Sequence, residues 1–310
     1  MKVSVAMATY NGEKYIEDQL DSIRNQTHSV DEVVICDDCS TDKTVEVVNR
    51  FIHEHQLEEN WRIEVNEHNL GYASNFIGAV HKTTGDYIFF CDQDDIWVPD
   101  RVEIMTRLME KNREICLLCS EFEPFESSPN ALSVPAWEKR QFKGDNSLEH
   151  LEFSPHHLFI DYQGCSMCIR RSFWEQVKEW WYTGWAHDEF LWKLALCLDG
   201  LYVYHGITLR RRLHSDNVSL GKMRDLKKRI KFMEDLKKSH ETTLGFAKKI
   251  GMNRASCRLL ERNVKATQMR AELMRDKRIF LTVPLALFYR DCYHSRKSLL
   301  VEPYMALKGE

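Results

Sequence analysis

Apolar positions in the first third of the chain change period in a regular way. A short run such as Val3-Ser4-Val5-Ala6-Met7-Ala8 reads as a strand, and the turn Thr9-Tyr10-Asn11-Gly12 follows it. Between Glu13 and Asn25, Ile16, Leu20 and Ile23 recur at helical spacing, and Glu32–Cys36 is a second apolar strand. Asp42 is placed to cap a helix whose inner face carries Val45, Val48 and Ile52. Further strands are predicted over Trp61–Val65, Tyr87–Cys91 and Leu117–Phe122, with helices over Tyr72–Lys82 and Arg101–Lys111. Strands that alternate with helices in this way make βαβ units, and βαβ units make a parallel sheet.

The periodicity fails over residues 123–150, where Pro124, Ser127, Ser128, Pro129, Asn130, Pro135 and Gly144 accumulate. A long irregular segment inside a compact domain is usually functional, so a lid is expected there. Order returns at Gly164–Ile169, in a helix from Ser172, in a longer helix over Asp188–Leu198 and in a strand over Tyr202–His205. From Lys222 onward the chain reads as helix rich in Lys, Arg and Leu.

Charge changes this picture by dividing the chain. Residues 222–310 hold 22 Lys and Arg against 10 Asp and Glu, whereas residues 1–221 hold 21 against 37, although the whole carries only -4. The expected organisation is therefore an acidic catalytic domain, 1–221, and a basic helical subdomain, 222–310. No nucleic-acid recognition motif accompanies the basic charge, so nucleic acid is not expected as a partner. The apolar stretch Ile279–Tyr289, set among Lys277, Arg278, Arg290, Arg296 and Lys297, leaves two readings open. One is peripheral association with an anionic membrane surface; the other is a packed subdomain with a solvated basic face.

With 310 residues, 43% of them apolar, the chain can bury one large core and an appended subdomain. No run approaches the ~20 apolar residues of a membrane span, and a cytoplasmic protein is expected. Ten cysteines suit a reducing compartment. Three CxxC spacings, Cys36/Cys39, Cys116/Cys119 and Cys165/Cys168, raise zinc as an option, but two lie in or beside apolar runs where cysteine serves as a small hydrophobe.

The strongest chemical signal is Phe89-Phe90-Cys91-Asp92-Gln93-Asp94-Asp95-Ile96-Trp97, an apolar strand that ends in three carboxylates. Crowding raises the pKa of such groups and costs stability unless solvent or a divalent cation intervenes. The carboxyl end of a parallel strand is also where open α/β sheets bind ligands.

Taken together, Met7–Gly12, Cys36–Asp42, Asn69-Leu70-Gly71 and Asp92–Asp95 resemble, in order and spacing, the family 2 glycosyltransferases of the GT-A fold. The resemblance covers about the first 220 residues. Within that family, Phe90–Trp97 followed by His187-Asp188 and by Arg212–Ser219 is similar to a bacterial rhamnosyltransferase-like branch that builds surface polysaccharides. The implied fold is a Rossmann-like, mixed but mostly parallel sheet flanked by helices. The implied partners are a UDP- or dTDP-sugar donor and a glycan acceptor, which is expected to be lipid-linked.

Residue roles follow from the resemblance. Thr9, Tyr10 and Asn11 would hold a flat pyrimidine, Asp38 would accept from the ring N3–H, and Asn69 and Gly71 would complete the nucleotide site. Asp92 would lie near the ribose, Asp94 would bind Mg²⁺ or Mn²⁺, and Asp95 would serve the donor sugar or only the turn. His214 would add a nitrogen ligand to the metal, and Arg210-Arg211-Arg212 would pair with diphosphate or stay as surface charge. Asp188 would be the base that takes the acceptor's proton in an inverting displacement, with helix capping as its plainer role. Tyr162–Ser166 resembles an acceptor-side loop in which Gly164 permits close approach of a sugar. The chain lacks the Gln-x-x-Arg-Trp element of processive synthases, which implies one sugar per encounter. A non-catalytic sugar-nucleotide-binding scaffold is the alternative, and loss of Asp94 or Asp188 would be its mark; both are present.

Overall fold

The computed structural model describes residues 1–127, 142–214 and 225–309. Two compact units emerge, one of residues 1–151 and 160–220, the other of 152–159 and 221–310. The second unit therefore includes an early segment, Glu152–Phe159, that a single cut near residue 221 does not anticipate.

The first unit is built on a nine-stranded sheet. Its strands are β1 (Val3–Thr9), β2 (Glu32–Asp37), β3 (Trp61–Val65), β4 (Tyr87–Asp92), β5 (Ile96–Trp97), β6 (Leu117–Glu126), β7 (Leu148–His150), β8 (Cys168–Arg170) and β9 (Leu201–Leu213), in the order β3-β2-β1-β4-β8-β6-β9-β5, with β7 also on β9. Strands β3, β2, β1 and β4 run parallel, β8 pairs antiparallel with both β4 and β6, and β6 runs parallel to β9. This is the mixed, mostly parallel sheet expected of a GT-A fold.

Helices α1 (Ile16–Arg24), α2 (Thr44–Glu54), α3 (Tyr72–Lys82), α4 (Arg101–Lys111), α5 (Arg171–Val177) and α6 (His187–Cys197) belong to this unit. β1, β2 and β4 are buried on both faces almost throughout, which explains their unbroken apolar sequences. Ile16, Leu20 and Ile23 of α1 and Val48, Phe51 and Ile52 of α2 meet Val5, Met7 and Ile35 in the main core. Burying aliphatic side chains of this size stabilises by roughly 1.5–3 kcal/mol each. At the start of α2, Asp42 accepts the Thr44 N–H at 3.0 Å.

Helices α3 and α4 span the residues expected of them. The later strands depart from expectation. β9 has thirteen residues rather than four, and β6 continues to Glu126 through a stretch read as loop. The long β6–β9 ladder places Pro124 opposite Arg211 and Phe125 opposite Arg212, after register shifts between Ser120 and Phe122. Pro124 is tolerated because β8 pairs with β6 only at Leu117 and Leu118, so no second neighbour needs its missing N–H. The lid expected over 123–150 accordingly becomes strand at both ends, with 128–141 outside the described residues.

The ends of that segment are tied down electrostatically. His205 on β9 meets Glu121 through Nδ1 at 2.8 Å and Glu149 through Nε2 at 2.7 Å, and Glu121 also accepts the Lys143 and Gly144 N–H groups.

The second unit is helical. Asp225 caps α7 (Leu226–Lys249) and Asn253 caps α8 (Arg254–Arg275), each accepting a backbone N–H at 2.8–2.9 Å. Met233, Leu236, Ala266, Leu273 and Met274 form its core with Phe159, Leu285 of α9 (Thr282–Phe288) and Ala306 of α10 (Ser298–Lys308). Buried Glu302 binds Arg270 at 2.6 Å and Arg229 at 2.8 Å, pinning α10 to both long helices. Short 3₁₀ turns at Ile279–Leu281 and Arg290–Cys292 interrupt the helical run expected from Lys222 onward. Among the described residues no helix is long and apolar enough to cross a membrane.

Candidate active site

The sheet order reverses at β1, with β2 on one side and β4 on the other, and a crevice at such a point is where ligands bind. Register sets its floor: Thr9 lies beside Asp37, and Ala8 beside Asp92. Two polar clusters rise from this floor.

The first is a closed hydrogen-bond network. Thr9, buried, donates its hydroxyl to Asp37 at 2.9 Å, and Asp37 also accepts the Ser40 N–H and hydroxyl. Thr9 thus shapes the pocket from beneath, and its carbonyl is taken by the Asp38 N–H. Asp38, also buried, accepts Leu70 N–H at 2.7 Å and Asn66 Nδ2 at 3.0 Å on Oδ1, and Gly71 N–H at 2.8 Å on Oδ2. Asn69 donates to the Asp38 carbonyl at 3.0 Å. Gly71, at φ +80°, is the left-handed hinge that starts α3, a conformation that disfavours side chains. One acceptor position on Asp38 Oδ2 remains, since a carboxylate oxygen takes about two bonds.

Tyr10 and Asn11 form the rim. Gln93 grips the Tyr10 backbone at both ends, accepting its N–H at 2.8 Å and donating to its carbonyl at 3.0 Å, which leaves the Tyr10 ring about half exposed. Asn11, at φ +50°, accepts the Thr41 N–H on its side chain while its own N–H goes to Ser40. A methyl group on Gly12 would overlap the Gln93 amide at 2.3 Å, so the turn and this lock exist together.

The second cluster is crowded with charge. Asp94 Oδ2 lies 2.6 Å from His214 Nε2, and the His214 ring packs on Tyr15. Asp92, Asp95 and the Cys165 thiol form a separate group whose ligand atoms all lie within 4.8 Å of one another. Asp95 accepts the Arg212 N–H on Oδ1 at 3.0 Å, and the Cys165 thiol is the polar neighbour of its buried carboxylate. Burial, reinforced by Asp94 nearby, pushes the Asp95 carboxyl up to about 7. Burial and the charges of Asp95, Asp94 and Asp188 hold Asp92 well above the usual carboxylate range, against the pull of Arg211.

Two of the three arginines are internal. Arg211 lies over the Phe122 ring, and Arg212 stacks on Tyr15 and Phe125 while donating to the Asp94 carbonyl at 2.8 Å and pairing with Asp18. Arg210 is exposed, pairs with Glu123 at 3.2 Å and lies over the Phe125 ring. The acids thus carry internal counter-charge, a third answer beside solvent and metal. Sequence reasoning also missed Arg101, fully buried, which donates to Thr208 and to the Cys165 carbonyl and holds that loop from below. Only a strand reading of Arg210–Leu213, with alternate side chains turned inward, would have signalled Arg211.

Asp188 opens α6, where it accepts the Glu189 N–H at 2.8 Å. Glu189 instead binds buried Lys193 at 2.6 Å. Asp188 lies close enough to Asp92 to raise its pKa. Tyr72 is more than half exposed as a residue, yet desolvation together with the charges of Asp188 and Glu189 pushes its hydroxyl up to about 12. Gly164 is buried under His187, whose Nε2 occupies the space a side chain there would need, at 2.4 Å. His187 stacks on Phe76 and Phe90, both ring nitrogens lack hydrogen-bond partners, and burial holds its pKa down. The structure therefore gathers Thr9, Tyr10, Asn11, Asp38, Asn69 and Gly71 into one cluster and Asp92, Asp94, Asp95 and His214 into another. Residues 215–219 lie outside the described residues.

An open α/β sheet of this order, with carboxylates at the tip of β4 and a polar pocket at β1 and β2, defines the GT-A class of sugar-transferring proteins. The sequence profile of Glycosyl transferase family 2 matches residues 4–177, more than half of the chain, and the chain belongs to that family. An uncharacterized glycosyltransferase of Methanocaldococcus jannaschii is 37% identical over 158 residues, 49% of this chain and 53% of that protein. The dTDP-rhamnosyl transferase RfbG of Shigella flexneri is 34% identical over 139 residues, 44% and 48% of the two chains. The chain spans about half the length of these relatives. Among solved structures, Staphylococcus aureus TarS 1-349 in complex with UDP-GlcNAc superposes with a TM-score of 0.65 at 15% identity, covering 100% of this chain and 93% of that one. At that identity the likeness speaks for the fold.

Proposed function

We propose that this chain moves a sugar from a UDP- or dTDP-sugar to a hydroxyl of a growing, lipid-linked glycan, with inversion at the anomeric carbon. The observation that carries this reading is the convergence of acids at the tip of β4, where Asp92 and Asp95 share one group with Cys165 and Asp94 meets His214 at 2.6 Å, with Asp188 close enough to Asp92 to add its charge. Four carboxylates in one crevice form a site built for a cation and for a proton to be taken.

The donor set fits a hard divalent ion. The Asp94 carboxylate, with the His214 imidazole 2.6 Å from it, would hold Mg²⁺ or Mn²⁺, and Asp92 would lie near the ribose. When bound, the ion supplies charge neutralisation for the diphosphate leaving group. The exposed Tyr10 ring is the platform for the base, and the remaining acceptor position on Asp38 selects uracil or thymine over cytosine through N3–H. The acceptor oxygen attacks the anomeric carbon as the bond to diphosphate breaks, and Asp188 takes its proton. Glu189 is a poorer base because Lys193 already engages it.

The relative named as a dTDP-rhamnosyl transferase makes dTDP-rhamnose the first donor to test. A thermal-shift screen of nucleotide sugars with Mn²⁺, followed by transfer assays of wild type, Asp94→Ala and Asp188→Ala, tests the reading. Stabilisation by one UDP- or dTDP-sugar and loss of transfer in both variants is the expected result; undiminished transfer in either overturns the assigned roles.

A further inference from the structure

The last thirty residues present apolar side chains to solvent in a pattern found nowhere else in the described chain. Of its fifteen large exposed hydrophobic residues, eight lie between positions 280 and 307. They fall on two helical stripes. Phe280, Val283, Leu287 and Phe288 follow the 3–4 spacing of one face across the 3₁₀ turn and α9, with Leu285 turned into the core. Leu300, Val301, Tyr304 and Leu307 follow the same spacing on α10, whose opposite face buries Glu302, Met305 and Ala306. Leu300, 79% exposed, and Phe280, 70% exposed, are outliers for a soluble surface.

Cations surround these stripes, and the nearby acids do not cancel them. Lys277, Arg290, Arg296 and Lys297 are exposed and pair with no carboxylate among the described residues. The described acids of the same segment are occupied from elsewhere, Glu302 by Arg229 and Arg270 and Asp291 by Arg262 at 2.7 Å. The local surface is thus apolar with a net positive rim. A second copy of this chain would fit it poorly, because a two-fold contact sets the same rim cations against themselves.

We infer that the α9 and α10 face docks on the surface of an anionic phospholipid bilayer, its apolar stripes in the headgroup boundary and its cations on lipid phosphates. The inference rests on no part of the sugar-transfer reading. Co-sedimentation of the full chain with vesicles of phosphatidylcholine, alone or mixed with phosphatidylglycerol, is the test. The mixed vesicles are expected to bind on the order of tenfold more tightly. Leu287→Ser with Leu300→Ser should abolish binding, and Arg296→Gln with Lys297→Gln should weaken it on the order of tenfold, with unchanged thermal melting because all four residues are exposed. Equal binding to both vesicles, or wild-type binding by the Leu287/Leu300 variant, overturns the inference. So does a dimer in light scattering that this variant dissociates while no vesicle binding occurs.

Discussion

The two clusters in the crevice solve opposite problems. Around Asp37 and Asp38 each carboxylate is answered by three N–H or O–H donors from its own chain, so the negative charge is stabilised before any ligand arrives. At the tip of β4 Asp92 and Asp95 share one group, and burial with neighbouring carboxylates raises both. The first cluster is architecture and the second is demand. A site needs both, because a scaffold that stays put is what allows the other group to remain unsatisfied without collapsing.

Breaking the second cluster should affect rate most. Asp188→Asn is expected to lower transfer by about 10²–10⁴-fold, the range for loss of a general base, while donor-induced thermal stabilisation persists. Unchanged transfer would move the base elsewhere. Asp94→Asn should lower transfer by about 10²-fold or more and shift the Mn²⁺ requirement to higher concentration, read by titrating the metal against rate.

Breaking the first cluster should affect stability instead. Asp38→Ala strands three donors from residues 66–71 and is expected to cost about 2–4 kcal/mol in urea unfolding, together with a raised KM for donor. A variant as stable as wild type would contradict the network's assigned part.

A pH series sharpens the contrast. The Asp95 carboxyl sits near 7 in the folded protein and about 4 when unfolded, so between those values the folded state holds protons that the unfolded chain has released. Without divalent metal, this group's contribution to stability is complete below pH ~4 and is lost as pH rises towards 7. Asp95→Asn should flatten that slope in unfolding curves. The smallest effect is expected at Arg210→Ala, within about 0.5 kcal/mol, because its partner Glu123 is equally exposed.

Legibility in the sequence tracked how local each determinant was. Tyr72–Lys82 and Arg101–Lys111 are legible to the residue because amphipathic spacing alone defines them. The strand at Leu201–Leu213 is not, since three consecutive arginines look like surface charge until Arg212 is seen to bond Asp95 through its backbone N–H and the Asp94 carbonyl through its side chain. Proline at 124 hid the end of β6 in the same way, because its neighbour on that side is missing only in three dimensions. Both clusters were placed by motif, but the division of labour between Asp92, Asp94 and Asp95 depends on side-chain directions that spacing does not carry.

The Gln93 clasp on Tyr10 ties two positions that stand 81 residues apart, Gly12 and Gln93, into a single mechanical unit. Relatives that enlarge residue 12 are expected to shorten residue 93, and an engineer who wishes to reshape the base platform must change the pair at once. Altering only one would leave the tyrosine turn either crowded or unfastened.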